Sequence, residues 1–133
     1  MCIRDRHVLE AGEAFDVVLN TEVVEHVADP EQLMKECSAL VKPSGIMIVA
    51  TINRTLRSFA LAIVGAEYVL KWLPKGTHDW RRFLRPDEIR SMIESRGLEI
   101  NGLTGVSFNP VSGRWRLSRD VSVNYMLLAA KRS

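Results

Sequence analysis

The sequence has few of the residues that define several classes of site. Its 133 residues include only two cysteines, Cys2 and Cys37. Two are too few for a disulfide framework, and their separation is not the spacing of a zinc site. Their scarcity favours a reducing, intracellular setting.

The sequence also lacks a large excess of charge of either sign and long apolar runs. The formal net charge is +2, and no Lys/Arg stripe is interleaved with aromatic residues, so nucleic acid is not an expected partner. No apolar run approaches the ~20 residues of a membrane-spanning helix. Residues 1–14 lack the apolar core of a signal peptide and match no definable element.

A glycine-rich cofactor loop is missing as well. A doubly wound α/β domain normally opens with a strand and such a loop. Here Gly12 stands alone before the first apolar run, and no GxGxxG pattern occurs, which argues against a nicotinamide-dependent dehydrogenase. We therefore expect the second half of such a fold.

Alternating strand and helix signals are present. FDVVLN (15–20) and IMIVAT (46–51) are typical of buried strands. Between them, Asp29 as N-cap, Pro30 at the first position and Gln32 at the capping-box position predict a helix. Leu33, Cys37, Leu40 and Val41 would form its apolar face, and KPSG (42–45) would end it.

The C-terminal part predicts one more helix and antiparallel strands. The helix begins at Pro86, buries Ile89, Met92 and Ile93, and ends near Gly97. The turn-rich NPVSG (109–113) predicts a hairpin, and VSVNYMLLAA (121–130) a closing strand. The fold class is thus α/β, with an antiparallel end and one domain over residues 1–133.

Several longer stretches carry a family resemblance. FDVVLNTEVVEHVADP, LVKPSGIMIVATINRT, VGAEYVLKWLPKGTHDWRRFLRPDE and FNPVSGRWRLSRDVSVNYMLLAAK resemble the ubiquinone-biosynthesis O-methyltransferases, a family of class I S-adenosylmethionine-dependent methyltransferases in bacteria and mitochondria. The resemblance runs from about residue 15 to the C-terminus. The family's glycine-rich motif and its ribose-binding acidic residue are absent, so we expect a C-terminal fragment with a Rossmann-like sheet.

The resemblance implies a reaction and a set of partners. Members O-methylate a polyprenyl-phenol or demethylubiquinol hydroxyl, and they carry out both O-methylations of the pathway. The implied cofactor is S-adenosylmethionine, and mitochondrial members also bind Mg²⁺. Implied partners are the prenylated substrate, other ubiquinone-biosynthesis proteins and a membrane surface. The implied location is the cytoplasmic side of the bacterial inner membrane or the matrix side of the mitochondrial one.

One polar cluster is the candidate site. Glu22, Glu25 and His26 are spaced i, i+3, i+4, so one helical turn would place them on a single face. On spacing alone a solvated helix start is the more common explanation. By resemblance, mitochondrial members bind magnesium with the equivalents of these three residues. His26 or Glu25 could alternatively remove the proton from a phenol.

Two strand ends complete the expected site. Asn20 and Thr21 end the first strand and Asn53 follows the second, so all three should lie at the ligand-binding edge of the sheet. By resemblance, Asn20 and Thr21 contact the cofactor. His78 and Asp79 form a second polar pair, for which a substrate role and a loop cap are both open. Tyr125 is interpreted as a packing residue.

Residues 54–76 raise the question of a membrane contact. Their longest apolar run, residues 59–66, is too short to span a bilayer. Trp72 between Lys71 and Lys75 suits a membrane interface, while a core helix or an active-site lid is the alternative. With the resemblance, we expect attachment to anionic bilayers. A non-catalytic lipid-binding fragment, or a methyltransferase for another small phenol or lipid, remains the alternative function.

Overall fold

A computed structural model describes residues 12–55, 80–109 and 111–133. In these ranges the chain forms five strands, β1 (Phe15–Thr21), β2 (Val41–Ile52), β3 (Leu98–Asn109), β4 (Arg114–Ser118) and β5 (Asn124–Lys131). It also forms two α-helices, α1 (Pro30–Leu40) and α2 (Pro86–Glu94), and two 3-10 turns, Val24–His26 and Trp80–Arg82.

The strands form one mixed sheet in the order β1-β2-β5-β3-β4. β1 and β2 are parallel and are connected through α1, whereas β5 lies antiparallel between β2 and β3. β3 and β4 form the hairpin predicted around NPVSG. The predicted α/β class with an antiparallel end is confirmed, although the closing strand begins at Asn124 instead of Val121.

The β1–β2 register brings two carboxyl ends to the same edge of the sheet. Asn20 is opposite Val49 and Thr21 is opposite Ala50. Before Ile46, β2 departs from regular pairing, because Phe15 is opposite Val41 while Val17 is already opposite Ile46. Residues 42–45, predicted as a helix stop, form this irregular stretch.

Helix α1 begins where the sequence predicts. Oδ1 of Asp29 accepts a hydrogen bond from the backbone N–H of Gln32 at 3.0 Å, and Pro30 is the first helical residue. The predicted capping box does not close, because the Gln32 side chain bonds Glu36 at 2.8 Å instead. Val41, expected on the helix face, is the first residue of β2.

Helix α2 starts at Pro86 as predicted. Oε2 of Glu88 accepts a hydrogen bond from the backbone N–H of Arg85 at 2.6 Å, which satisfies one free donor at the helix start. Gly97 has a φ of 82° and donates to the carbonyl of Glu94, so a glycine suits the exit from the helix.

The core lies between the two helices and one face of the sheet. A row formed by Val18, Met47 and Ala129 runs across β1, β2 and β5 on that face. Leu33, Met34, Ile89 and Ile93 from the helices belong to the same buried cluster. The cluster therefore holds the parallel strands and both helices together.

The opposite face of the sheet is apolar but open among the described residues. Leu19, Ile48 and Leu128 form the corresponding row there, with Leu19 65% exposed. Val17, Trp115 and Leu117 are likewise at least half exposed. Both faces of the central strands are thus apolar, as in sheets covered on both sides.

Candidate active site

The carboxyl ends of β1 and β2 carry the polar residues predicted for the site. Asn20 is buried near the end of β1, and Thr21 is exposed beside it. Asn53, 7% exposed, directly follows β2. The amide oxygens of Asn20 and Asn53 are buried and accept no hydrogen bond from any described residue. Unpaired buried acceptors are rare in proteins, so these two oxygens are candidates to accept hydrogen bonds from a bound ligand.

The amide nitrogens of both asparagines do have partners. Nδ2 of Asn20 contacts Sγ of Cys37 at 3.7 Å, which ties the end of β1 to α1. Nδ2 of Asn53 donates to the carbonyl of Val121 at 2.8 Å. These bonds orient each amide group and leave its oxygen available.

Glu25 is a buried carboxylate at this edge. It lies in the 3-10 turn Val24–His26 and is 3% exposed. Oγ1 of Thr51 donates a hydrogen bond to its Oε2 at 2.7 Å. Its Oε1 is buried without a hydrogen bond within the part of the chain described.

His26 contributes an exposed group to the cluster. Its Nε2 lies 3.8 Å from Oε1 of Glu25, and its side chain is 53% exposed. The imidazole therefore faces solvent while one nitrogen is close to a buried carboxylate, which can orient the ring.

Glu22 sits just before this turn in an unusual backbone conformation. Its φ is 55°, and its backbone N–H donates to the carbonyl of Ala50 at 2.8 Å. Although the residue as a whole is exposed, partial burial of its carboxyl group raises its pKa to about 7, and repulsion by the neighbouring Glu25 carboxylate raises it further. The carboxyl group of Glu22 is therefore close enough to that of Glu25 for the two to repel each other when both are charged.

The predicted helical face does not exist in that form. Glu22 lies outside the turn that contains Glu25 and His26, and its positive φ breaks the helical path. Glu25 nevertheless contacts both other residues. Across residues 12–55, 80–109 and 111–133, no three His, Cys, Asp or Glu side chains form a group that could hold a metal ion. The three-ligand set stays a prediction.

The contact made by Thr51 and the ion pair between Arg54 and Glu88 were not predicted from the sequence pattern. Thr51 bonds Glu25, and Arg54 pairs with Glu88 at 2.6 Å, linking the end of β2 to α2. Thr51 lies two positions before Asn53 on a strand with alternating burial, and this is the signal that could have identified it. Arg54 and Glu88 are 34 positions apart, so no local pattern connects them.

Tyr125 lies in the core beside the site. It is opposite Thr51 in the β2–β5 register, and its hydroxyl donates to the carbonyl of Leu84 at 2.6 Å. Burial and the nearby carboxylates, Glu88 foremost, raise its pKa well above the usual value. Its contacts match the packing role predicted for it.

Two predictions fall outside the described ranges. His78 and Asp79 are not covered, and neither is most of residues 54–76. In the portion of the chain that the structure covers, no helix is both long enough and apolar enough to cross a membrane.

Comparisons with known proteins give a consistent result. A family model described as a methyltransferase domain matches residues 3–101. The ubiquinone biosynthesis O-methyltransferase of Parvibaculum lavamentivorans is 53% identical over 130 residues, covering 98% of this chain and 51% of that protein. The protein of the same name from Dinoroseobacter shibae is 61% identical over 120 residues, covering 90% and 48%. The chain thus spans about half the length of the curated relatives it matches.

Solved structures share the fold. A SAM-dependent methyltransferase from Thermotoga maritima aligns with a TM-score of 0.62 at 17% identity, covering 91% of this chain and 58% of that chain. Magnesium protoporphyrin IX methyltransferase from Synechocystis PCC 6803, solved with bound SAH, aligns with a TM-score of 0.56 at 14% identity, covering 90% and 46%. At such identities the likeness concerns the fold alone.

Proposed function

Since this chain belongs to the methyltransferase domain family, we propose that the protein containing it transfers a methyl group from S-adenosylmethionine to a ring hydroxyl of a polyprenyl-phenol or demethylubiquinol in ubiquinone biosynthesis. The observation that carries the proposal is the 52–61% identity, over at least 90% of the chain, to proteins named ubiquinone biosynthesis O-methyltransferase. The polar edge formed by β1 and β2 supports it, because ligands of such sheets bind at this edge.

Asn20 and Thr21 are the proposed cofactor contacts. Thr21 is exposed at the end of β1, and the buried amide oxygen of Asn20 has no donor among the described residues, which fits a ligand that offers N–H or O–H groups. S-adenosylmethionine supplies the methyl group and a sulfonium sulfur that leaves with the electrons of the broken C–S bond. The glycine-rich loop that usually completes such a site is not in this sequence.

Glu25 and His26 are the proposed catalytic residues. A phenol has a pKa of about 10, so its hydroxyl must lose a proton as the oxygen bonds the methyl carbon. The exposed imidazole of His26 is the group best placed to receive that proton, and the carboxylate of Glu25, 3.8 Å away, would stabilise the resulting cation. Glu25 is the alternative acceptor, because its Oε1 accepts no hydrogen bond from the described residues.

Glu22 and Glu25 are the proposed holders of Mg²⁺, with His26 as the third predicted ligand. Two adjacent carboxyl groups, one of which has a pKa raised to about 7 by its surroundings, suit a divalent cation that would relieve their repulsion. Mg²⁺ would lower the pKa of the substrate hydroxyl. A double change Glu22→Ala, Glu25→Ala should abolish the magnesium dependence of turnover, while Glu94→Ala, Glu99→Ala should keep it. Unchanged dependence in the first variant would remove the metal role.

Residues 54–76 are the proposed contact with anionic membranes. Arg54, Arg57, Lys71 and Lys75 outweigh Glu67 there, and Trp72 lies between the two lysines. We expect Lys71→Glu, Lys75→Glu to weaken sedimentation with anionic vesicles, and Arg114→Glu, Arg116→Glu on the hairpin to leave it unchanged. A wild-type protein that stays in the supernatant would refute the membrane contact.

Turnover by the full-length protein tests the proposal as a whole. Methyl transfer from radiolabelled S-adenosylmethionine to a short-chain demethylubiquinol should be measurable, and Glu25→Gln should lower kcat at least tenfold. Absence of transfer to any phenolic substrate would overturn the proposal. Calorimetry of this chain alone with S-adenosylmethionine separates the alternatives: binding only by the full-length protein would indicate that this half requires the rest of the domain.

A further inference from the structure

Thr51 occupies a buried position at the edge of the proposed site. It is 1% exposed and is the penultimate residue of β2. Its side chain lies on the sheet face that also carries the buried Met47 and Val49. From this position its hydroxyl reaches Glu25 in the 3-10 turn, 26 residues earlier in the chain.

The hydroxyl of Thr51 makes the two oxygens of Glu25 unequal. Oε2 accepts its hydrogen bond at 2.7 Å, whereas Oε1 has no hydrogen bond from described residues and lies 3.8 Å from Nε2 of His26. A buried carboxylate without donors would rotate toward any polar group it could reach. The bond from Thr51 therefore fixes the plane of the carboxylate and leaves Oε1 free.

We infer that Thr51 is a positioning residue of the active site, which holds Glu25 so that Oε1 faces His26 and the reacting groups. The inference rests on the proposed methyltransferase function. It applies whether Glu25 stabilises a protonated imidazole or ligates Mg²⁺, because both roles require one free oxygen in a fixed direction. Thr51 acts through Glu25 and does not itself accept the substrate proton.

Other contacts hold the turn that carries Glu25. The backbone N–H of Glu22 donates to the carbonyl of Ala50 at 2.8 Å, and that of His26 donates to the carbonyl of Val23 at 2.9 Å. Val24 is fully buried in the core cluster. The turn should therefore remain in place when the Thr51 hydroxyl is removed, so that the carboxylate loses its orientation while the backbone does not move.

Steady-state kinetics of the full-length protein test this role. Thr51→Val keeps the shape of the side chain but removes the donor, and it should lower kcat about tenfold or more with an unchanged KM for S-adenosylmethionine. Thr51→Ser restores the donor and should stay within about threefold of wild type. Thr104→Val is the matched control, because the Thr104 hydroxyl bonds the carbonyl of Ser118 at 3.0 Å in the β3–β4 hairpin and does not bond Glu25. It should leave kcat unchanged.

A double variant shows whether Thr51 acts through Glu25. In a Glu25→Gln background, Thr51→Val should change kcat less than twofold, since the group that it positions is already altered. The inference would be overturned if Thr51→Val lowered kcat equally in the wild-type and Glu25→Gln backgrounds. It would also be overturned if Thr51→Val kept a wild-type kcat, or if Thr104→Val lowered kcat as much as Thr51→Val did. If the wild-type protein transfers no methyl group, the proposed function fails and the positioning role fails with it.

Discussion

Nη2 of Arg54 lies 2.6 Å from Oε1 of Glu88, so an ion pair joins the end of β2 to the first turn of α2. The other oxygen of Glu88 accepts the backbone N–H of Arg85. One carboxylate thus caps a helix and anchors the strand end that carries Asn53. Both side chains are about two-thirds buried, with 29% and 31% exposure, so the pair is shielded more than a surface ion pair.

Glu88→Gln should destabilise the full-length protein more than Arg54→Met. The glutamine loses the charge that serves both the ion pair and the helix start, which we expect to cost about 1–2 kcal/mol. Arg54→Met removes the ion pair alone, at about 0.5–1 kcal/mol. Urea unfolding measures both, with Glu94→Gln at the other end of α2 as control. Equal losses at Arg54 and Glu88 would contradict the double role.

Glu22→Gln should change how stability depends on pH. The pKa of Glu22 is raised from 4.5 to about 7, so the stability that its protonated form contributes is fully present below about pH 4.5 and is lost as pH rises through 7. Glutamine stays neutral throughout. The difference in Tm, variant minus wild type, should therefore increase between pH 5 and pH 8 when both are measured in EDTA. A constant Tm difference over that range would contradict a raised pKa at Glu22.

Lys131→Met should destabilise the protein by about 1–2 kcal/mol. Nζ of Lys131 donates to the carbonyls of Ser38 at 3.0 Å and Val41 at 2.9 Å, at the C-terminal end of α1, where the negative end of the helix dipole favours a cation. Arg132→Met is the control, because Arg132 is 79% exposed and 4.0 Å from Glu99. Similar unfolding midpoints for the two variants would show that the lysine does not cap the helix.

Gly45→Ala should destabilise the irregular start of β2. A Cβ there would lie 2.9 Å from the backbone oxygens of both Asp16 and Lys42, and backbone atoms cannot move aside cheaply. We expect a loss of about 1–3 kcal/mol by thermal unfolding. At Gly102 the nearest atom to an added Cβ is 3.8 Å away, so Gly102→Ala should have a much smaller effect. A larger loss of stability for Gly102→Ala than for Gly45→Ala would indicate that this stretch of β2 can adjust to an added Cβ.

The N-terminal half of the described fold was predictable because its signals are local. Asp29 and Pro30 begin α1 where capping chemistry predicts, and valine-rich runs identify β1 and the regular part of β2. The early part of β3, residues 98–104, was not predicted. It contains Gly102 and lacks a strong apolar run, and it forms a strand because β5 provides its hydrogen-bonding partner.

The positions of the candidate residues were easier to predict than their contacts. The end of β1 carries Asn20 and Thr21 at the expected edge, and the 3-10 turn that follows carries Glu25 and His26. The helical spacing of Glu22 and Glu25 suggested a shared face, but a positive φ at Glu22 produced a different contact. The bond from Thr51 to Glu25 depends on the sheet register, which local patterns do not specify.

The apolar face of the sheet, which no described residue covers, has a practical consequence for the isolated chain. Leu19, Ile48 and Leu128 form a continuous row there, and the outer edge of β1 pairs with no other described strand. Such an edge can template pairing with a strand from another molecule. Purified alone, the chain should therefore scatter light increasingly with concentration and bind hydrophobic dyes, which makes colloidal behaviour the first property to control in any assay of this half.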